Sequence, residues 1–205
     1  MIALLDYGAG NIRSVHKALQ AAGGEVQLVP KPAALAEASA VVLPGVGAFD
    51  DCIHALQRRE LLAAAKEFIG TGKPFLGICV GYQALFERSE EFNSCAAGLG
   101  VFAGSVVRFA ENGIKVPQIG WNEVEFARKD CPLLEGIASG SHFYFVHSYF
   151  PQPTDESVVL ACTTYGETFA SAVWHKNVFA TQFHPEKSQA VGLRLLENFV
   201  RLATG

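Results

Sequence analysis

Cys79 lies between two glycines, in a pattern whose residue types suit a nucleophile. Gly77 and Gly81 stand two positions to either side of it, as Gly-x-Cys-x-Gly. This is the cysteine version of the nucleophile elbow, a turn so tight that side chains at the flanking positions would collide with neighbouring backbone. It leaves the thiol at the start of the following helix, where the helix dipole favours the thiolate. A buried structural cysteine fits the same pattern, so both interpretations stay open here.

A cysteine nucleophile needs a base, and His184 is the best placed of the six histidines. It follows the apolar segment 178–183, so it should emerge at the end of a strand. Glu186 comes two residues later, with Pro185 between them. Residues i and i+2 of an extended segment project to the same side, so the carboxylate can hydrogen-bond one imidazole nitrogen while the other faces the thiol. His147 also ends an apolar segment, and the sequence does not exclude it as the base.

Attack on an amide also needs two N–H groups directed at the oxygen that becomes negative. Val80 follows the nucleophile and would supply one of them. The other is expected from the loop Gly45-Val46-Gly47, since glycines on both sides let the Val46 peptide point inward. These glycines could also simply make a tight turn. We expect Val46 and Val80 to form the oxyanion hole.

The elements that must position these residues alternate between strand and helix in the first half of the chain. Apolar strands separated by helices predict a parallel sheet covered on both faces. Ligands bind such a sheet beyond the carboxyl ends of its strands. The loops that should meet there are 7–11, 44–49 and 79–81. The predicted strands are 2–5, 26–29, 40–43 and 75–78, and the predicted helices are 12–22, 51–69 and 80–88.

After residue 93 the pattern changes to short strands joined by turns such as 111–113 and 175–177, which is typical of antiparallel pairing. Some of these strands should extend the central sheet and others should form a smaller one. The sequence therefore predicts an α/β fold in a single domain, 1–205, with a mostly parallel central sheet flanked by helices and a smaller mixed or antiparallel β element. The later strands are predicted at 101–102, 106–109, 116–117, 122–126, 143–146, 158–162, 170–174 and 178–183, and the last helix at 188–202.

Composition argues against several classes of protein. The net charge of -4 gives no signal for nucleic acid or membrane surfaces. No apolar run approaches the ~18 residues of a membrane span, and the N-terminus lacks the features of a signal peptide. The five cysteines are scattered without a CxxC pair, which favours reduced thiols in the cytoplasm over disulfides or a zinc site. Neither glycine-rich loop matches a phosphate-binding motif, so we expect no bound phosphate there. The sequence predicts no metal and no cofactor.

The segments 75–83 and 183–186 resemble those of the class I glutamine amidotransferases. Within that family the chain is similar to the glutaminase subunits of imidazole glycerol phosphate synthase, which acts in histidine biosynthesis. The resemblance implies a flavodoxin-like fold and a triad of Cys79, His184 and Glu186. This triad would hydrolyse glutamine to glutamate and ammonia through a thioester on Cys79. The narrower resemblance is carried by 6–11, 43–49, 117–122, 144–149 and 184–188.

The resemblance also implies a glutamine pocket and a protein partner. Ammonia is mostly protonated to ammonium in neutral water, and ammonium is not a nucleophile. The ammonia therefore has to be passed to its acceptor without release. The partner in the family is a (β/α)8 cyclase subunit, which forms imidazole glycerol phosphate and AICAR and would dock over the mouth of the active site as a heterodimer. The implied pocket residues are Gly45, Gly47, Gln83, Ser148 and Tyr149. The candidate interface residues are Asn11, Arg13, Trp121, Asn122 and Lys187, with a core position as the alternative for Trp121.

Three other functions compete with this one. The first is a glutaminase for another acceptor, in anthranilate, guanylate or pyridoxal phosphate synthesis, which the segments 117–122 and 184–188 disfavour. The second is a cysteine hydrolase that acts alone, which would not require an added cyclase for activity. The third is a binding protein with a vestigial thiol, which the intact Cys79, His184 and Glu186 disfavour.

Overall fold

The structure is a computed structural model that describes residues 1–8, 10–110 and 113–205. The predicted turn 111–113 and the centre of the loop 7–11 therefore fall partly outside the described residues. The strands are β1 Ile2–Leu5, β2 Val26–Val29, β3 Ala40–Leu43, β4 Phe75–Ile78, β5 Phe86–Ser89, β6 Phe102–Arg108, β7 Gln118–Phe126, β8 Ser141–His147, β9 Tyr149–Pro153, β10 Val159–Tyr165, β11 Glu167–His175 and β12 Val178–Thr181. The α-helices are α1 Ile12–Ala21, α2 Phe49–Arg58, α3 Leu61–Gly70, α4 Val80–Gln83 and α5 Gln189–Thr204.

A sheet of nine strands forms the centre of the molecule, in the order β2-β1-β3-β4-β12-β11-β10-β7-β8. Following this order across the sheet, neighbouring strands pair in parallel from β2 to β12. From β12 to β8 they pair antiparallel. Every residue of β1, β3, β4 and β12 is buried, as expected for parallel strands covered on both faces. The carboxyl ends of β4 and β12 lie side by side, because Ile78 pairs with Thr181.

A second sheet of three strands has the order β5-β6-β9. β5 and β6 run parallel, whereas β6 and β9 run antiparallel. The predicted α/β fold, with a central sheet and a smaller mixed one, is therefore confirmed. Among the described residues, no helix combines the length and hydropathy that crossing a membrane would need.

The predicted helix 80–88 is wrong beyond its first turn. α4 ends at Gln83 and β5 begins at Phe86. The carbonyls of Ala84 and Leu85 accept hydrogen bonds from the N–H groups of Leu99 and Val101, so they are not free to continue a helix. Leu85, in the turn before β5, and Phe86, at the start of β5, are both fully buried. Apolar spacing could not separate the two outcomes because both bury the same side chains.

The predicted helix 51–69 is also wrong, since two helices occupy this region. Glu60 separates α2 from α3 and has a positive φ of 62°. In one continuous helix, Leu56 and Leu61 would point about 140° apart. The break lets both side chains be fully buried against the core.

Several smaller differences concern the later strands. The segments 101–102 and 106–109 belong to the single strand β6, and 116–117 lies outside regular structure. β9 is not among the predicted strands, and it contains Pro151 and Pro153, which cannot donate to a strand ladder. Among the described strands, β6 is the one that pairs with β9, so both prolines lie at a sheet edge. Strand β7 starts earlier than predicted, at Gln118, and β12 ends earlier, at Thr181.

Candidate active site

Cys79 occupies a sharp turn between β4 and α4. Its backbone has φ 55° and ψ -111°, a strained conformation for a residue with a side chain. The Cys79 N–H donates a 2.8 Å hydrogen bond to the carbonyl of Thr181, which fixes the turn to β12. Because α4 is a single turn, its dipole stabilises a thiolate less than a longer helix would.

The glycines around Cys79 are required by close backbone contacts. A Cβ on Gly81 would overlap the carbonyl oxygen of Leu43, at the end of β3. A Cβ on Gly77 would lie 2.8 Å from the Gly81 oxygen. These distances support the steric reason given for the Gly-x-Cys-x-Gly pattern, since no side chain fits at either position.

His184 follows β12 and is 1% exposed at its side chain. Its Nδ1 lies 2.8 Å from Oε1 of Glu186. Its Nε2 is buried and has no hydrogen-bond partner among the described residues. Burial lowers the pKa of His184, but the adjacent Cys79 and Glu186 outweigh this effect and hold the pKa well above its ordinary value. The site therefore favours a protonated His184 beside Cys79, which can donate a proton from Nε2.

The Glu186 side chain is completely buried. Its Oε1 accepts hydrogen bonds from Nδ1 of His184 and from Nδ2 of Asn11, at 2.8 Å and 2.7 Å. Its Oε2 is buried without a partner in the described part of the chain. The two donors fix the carboxylate so that it can hold the imidazole in one orientation. Asn11 was predicted at the partner interface, and that role stays a prediction.

His147 is engaged on both ring nitrogens. Nδ1 lies 2.8 Å from the Tyr149 carbonyl oxygen, and Nε2 lies 2.9 Å from Oε1 of Gln118. Burial lowers the pKa of His147 to about 4, although the hydrogen bond with Tyr149 opposes this. The Tyr149 oxygen can only accept, so Nδ1 carries the single proton of the neutral imidazole, and Nε2 accepts a hydrogen bond if the Gln118 amide presents its nitrogen. An imidazole with both nitrogens engaged in this way is poorly placed to exchange a proton with Cys79. The geometry therefore favours His184 over His147 as the base.

The loop after β3 packs directly against the elbow. A Cβ on Gly45 would lie 2.5 Å from the backbone nitrogen of Gly81. Gly47 has φ 96°, a conformation that favours glycine. Val46 and Val80 line the same cavity as Cys79. The oxyanion hole proposed for these two residues is thus geometrically possible, and it stays a prediction.

A cavity of about 420 Å³ opens over Cys79. Four of the five predicted pocket residues line it; the fifth, Gly45, lies behind it against the elbow. Lys187 lines the cavity as well, with its Nζ 5.9 Å from the centre of the Tyr144 ring. The lining residues are Val46, Gly47, Cys79, Val80, Gln83, Glu91, Pro117, Val146, His147, Ser148, Tyr149, His184 and Lys187.

Glu91 is a cavity residue that no sequence pattern singled out. It is the only carboxylate that lines the cavity in the described residues. Its Oε2 accepts a 2.7 Å hydrogen bond from the N–H of Phe49, at the start of α2. The pKa of Glu91 lies above its ordinary value, because burial and the neighbouring Asp50 and Asp51 raise it more than the Phe49 hydrogen bond lowers it. Glu91 lies in an irregular polar segment whose position depends on packing against α2, so local sequence carries no signal for it.

Two apolar side chains on β7 are exposed near this cavity. Ile119 is 59% exposed and Trp121 is 46% exposed. They are two residues apart on a strand, so they project to the same side. Trp121 is therefore not a core aromatic.

Two other residues predicted at the interface lie elsewhere: the Asn122 side chain is turned toward the Thr164 carbonyl, and Arg13 is exposed on α1. Within 1–8, 10–110 and 113–205, no cluster of side chains is arranged to hold a metal ion.

The chain matches the family described as "Glutamine amidotransferase class-I" over residues 3–203. It belongs to the class I glutamine amidotransferases. Among the relatives of this amidotransferase is the imidazole glycerol phosphate synthase subunit HisH of Syntrophotalea carbinolica. The two are 49% identical over 205 residues, which covers 97% of this chain and 98% of that protein. The protein of the same name from Aquifex aeolicus is 50% identical over 201 residues, covering 98% of this chain and 96% of its own.

Solved structures share the fold of this amidotransferase. One described as a crystal structure of glutamine amidotransferase covers all of this chain and 99% of its own, with a TM-score of 0.77 and 23% identity. The glutaminase domain of Trypanosoma brucei CTPS with bound acivicin covers 99% of this chain and 93% of its own, with a TM-score of 0.71 and 16% identity. The family resemblance predicted from the sequence is confirmed.

Proposed function

We propose that this amidotransferase hydrolyses glutamine at Cys79 and passes the ammonia to a synthase subunit of histidine biosynthesis. The observation that carries the chemistry is the buried hydrogen bond between His184 and Glu186 beside a strained cysteine at the base of a cavity. We assign the whole chain, 1–205, to one catalytic domain. A cytoplasmic location fits the five free thiols, which a reducing compartment preserves.

In the first half of the reaction, the thiolate of Cys79 attacks the side-chain carbonyl carbon of glutamine. A C–S bond forms and the charge moves to oxygen, where the N–H groups of Val46 and Val80 would stabilise it. The C–N bond then breaks. The imidazolium of His184 gives its Nε2 proton to the departing nitrogen, which leaves as ammonia. A glutamyl thioester remains on Cys79.

In the second half, water attacks the thioester carbon and gives its proton to Nε2 of His184. The C–S bond breaks, its electron pair returns to sulfur, and the side-chain carboxylic acid leaves and releases its proton to solvent to give glutamate. Glu186 keeps its hydrogen bond to Nδ1 throughout, so the imidazole stays in one orientation and its positive charge is stabilised. The cycle consumes one water and returns the thiolate–imidazolium pair to its starting state.

The cavity contains groups that match the α-ammonium and the polar side chain of glutamine. The Glu91 carboxylate would bind the ammonium by accepting charge-assisted hydrogen bonds from it. Nε2 of Gln83 already donates to the Tyr149 carbonyl and to Gln182, so Gln83 would contact the substrate through Oε1. Ser148, in the bend between β8 and β9, lines the same cavity. We propose these residues, with Gly45 and Gly47, as the glutamine site.

The acceptor is proposed to be a (β/α)8 cyclase subunit that forms imidazole glycerol phosphate and AICAR. Support comes from the two relatives at 49% and 50% identity, each named as a subunit of imidazole glycerol phosphate synthase. Exposed apolar side chains beside a catalytic cavity are also typical of a protein contact. Ile119 and Trp121 provide such a surface next to Pro117, which lines the cavity. Asn11, Arg13, Asn122 and Lys187 complete the proposed interface.

The experiment mixes the chain with its cyclase, the ribonucleotide substrate and glutamine, and follows imidazole glycerol phosphate. Cys79→Ala should abolish glutamine-dependent synthesis, whereas ammonium salts should restore synthesis with the same variant. Lys187→Ala should weaken the glutamine-dependent reaction and spare the ammonia-dependent one. Glutamine-dependent synthesis by Cys79→Ala at the wild-type rate would overturn the proposed function.

A further inference from the structure

Gln182 is a fully buried polar residue beside the nucleophile. It follows the last residue of β12, Thr181, whose carbonyl accepts the Cys79 N–H. The Gln182 N–H donates a 2.8 Å hydrogen bond to the carbonyl of Ser171 on β11. The backbone of Gln182 is therefore fixed by β12, which it follows, and by β11, the strand beyond it. Its side chain extends to the sulfur of Cys79, with Nε2 at 3.6 Å from Sγ.

The orientation of the Gln182 amide follows from its neighbours. The Tyr149 carbonyl oxygen can only accept, so the Gln83 atom that lies 3.0 Å from it must be the amide nitrogen. The same nitrogen lies 3.2 Å from the side chain of Gln182, so the Gln182 atom at this contact must be the oxygen. The Gln182 nitrogen is then left to face the sulfur. A backbone carbonyl thus determines, through two amides, that an N–H donor is directed at Cys79.

We propose that Gln182 is a positioning residue for the nucleophile: its amide N–H orients the sulfur of Cys79 and stabilises the negative charge on it. This inference rests on the proposed function of Cys79. The donor acts in the free enzyme, where it favours the thiolate, and again when the sulfur leaves the thioester carbon as a thiolate. His184 faces the same sulfur, so the thiolate is stabilised by an imidazolium and by an amide.

Gln182 acts on the sulfur rather than on the substrate, because its side chain is 0% exposed and does not line the cavity in the part of the chain that the structure describes. Loss of the donor should lower kcat for glutamine hydrolysis about tenfold, the effect expected for one hydrogen bond to a charged group. The KM for glutamine should change little. If the role of Gln182 were purely structural, its loss would lower stability without lowering kcat selectively over KM.

The test compares Gln182→Met with Gln182→Glu in the full chain. Methionine keeps the length and burial of the side chain but donates no N–H. Glutamate keeps the shape and the contact with Gln83, and it places an oxygen where the donor was. The rate at which iodoacetamide modifies Cys79 is measured against pH, with the labelled site identified by peptide mass spectrometry because the chain has four further cysteines.

Both variants should move the midpoint of the alkylation profile to higher pH, by about one unit for Gln182→Met and by more for Gln182→Glu. The groups whose charges reach Cys79 include His184, Tyr7 and Cys52, and neither variant changes them. Activity is then measured with the cyclase bound, to obtain kcat and KM for glutamine.

The control is Thr163→Val on β10. Thr163 is 2% exposed and donates a 2.9 Å hydrogen bond to the Glu123 carbonyl, so this variant also loses a buried donor in the central sheet. It should lower thermal stability but leave the alkylation midpoint and kcat unchanged. Gln182 variants that behave like Thr163→Val would overturn this inference and leave the proposed function intact. A wild-type chain that does not hydrolyse glutamine with its cyclase would overturn the proposed function instead.

Discussion

The amide of Asn11 donates a 2.7 Å hydrogen bond to Glu186, on the same oxygen that binds His184. The two residues are 175 positions apart in the chain. The contact joins the start of α1 to the carboxylate that orients the imidazole. Asn11 has φ 66°, a left-handed conformation that asparagine tolerates better than most residues. The loop that was predicted to meet the partner thus also supports the proposed triad.

Replacing Asn11 should impair glutamine hydrolysis. Asn11→Gly removes the amide while keeping a residue that accepts the positive φ, and it should lower kcat about tenfold. Asn11→Asp should lower it further, because two carboxylates would then face each other. Ammonia-dependent synthesis by the bound cyclase is the control measurement and should be unaffected. If saturating cyclase restores the wild-type kcat for glutamine, Asn11 acts only in binding the partner.

Replacing Glu91 should weaken glutamine binding. Glu91→Gln retains an acceptor for the Phe49 N–H but loses the negative charge that would bind the α-ammonium. We expect the KM for glutamine to rise at least about tenfold, while iodoacetamide, which has no ammonium group, still alkylates Cys79 at the wild-type rate. The matched control is Glu90→Gln, an exposed neighbour that does not line the cavity. Equal KM values for the two variants would disprove this role.

His147 should make the protein less stable in acid. Its pKa is lowered to about 4 by burial, so between pH 6.5 and 4 the unfolded chain binds a proton that the folded chain does not. His147 should therefore contribute a loss of stability of about 2 kcal/mol as the pH falls from 7 to 5. The raised pKa of His184 acts in the opposite direction, so the contribution of His147 is obtained by comparison with a variant. The free energy of unfolding in urea, measured at both pH values, checks this.

The variant His147→Gln should flatten that dependence, because glutamine has no proton to gain. The exposed His54 serves as the control, and His54→Gln should retain the wild-type slope. A slope that is unchanged in His147→Gln would assign the acid sensitivity to other groups.

The elbow should tolerate no side chain at position 81. Gly81→Ala would drive a methyl group into the Leu43 carbonyl, so we expect a loss of stability of about 1–3 kcal/mol together with loss of activity. Gly70→Ala, at the end of α3 where the added Cβ meets nothing within 4 Å, should be neutral or stabilising. Urea denaturation of both variants measures the difference. A Gly81→Ala chain as stable as Gly70→Ala would contradict the steric explanation.

Local chemistry explains which parts of the site could be predicted. The elbow around Cys79 and the His184-Pro185-Glu186 segment carry their geometric requirements within a few residues, so sequence spacing was sufficient to propose them. The contacts of Asn11 and Gln182 depend on strands that meet only in the folded sheet. Glu91 depends on a contact with α2. No local pattern in the sequence could have predicted the contacts that these three side chains make in the site.

The fold shows the same division. Strands β1, β3 and β4 were predicted with their observed bounds, because fully buried parallel strands are continuous apolar runs. The helix predicted across 80–88 was wrong because Leu85 and Phe86 are buried in either conformation, and only pairing with a later segment decides between them. The break at Glu60 likewise depends on the core that α2 and α3 share.

The backbone of Cys79 sets stability against activity at a single position. A residue with a side chain is held there at φ 55°, at a cost of about 1–3 kcal/mol that glycine would not incur. Selection for stability alone would thus favour glycine at position 79, and glycine has no thiol. Any programme that ranks substitutions by melting temperature alone should be expected to discard the nucleophile.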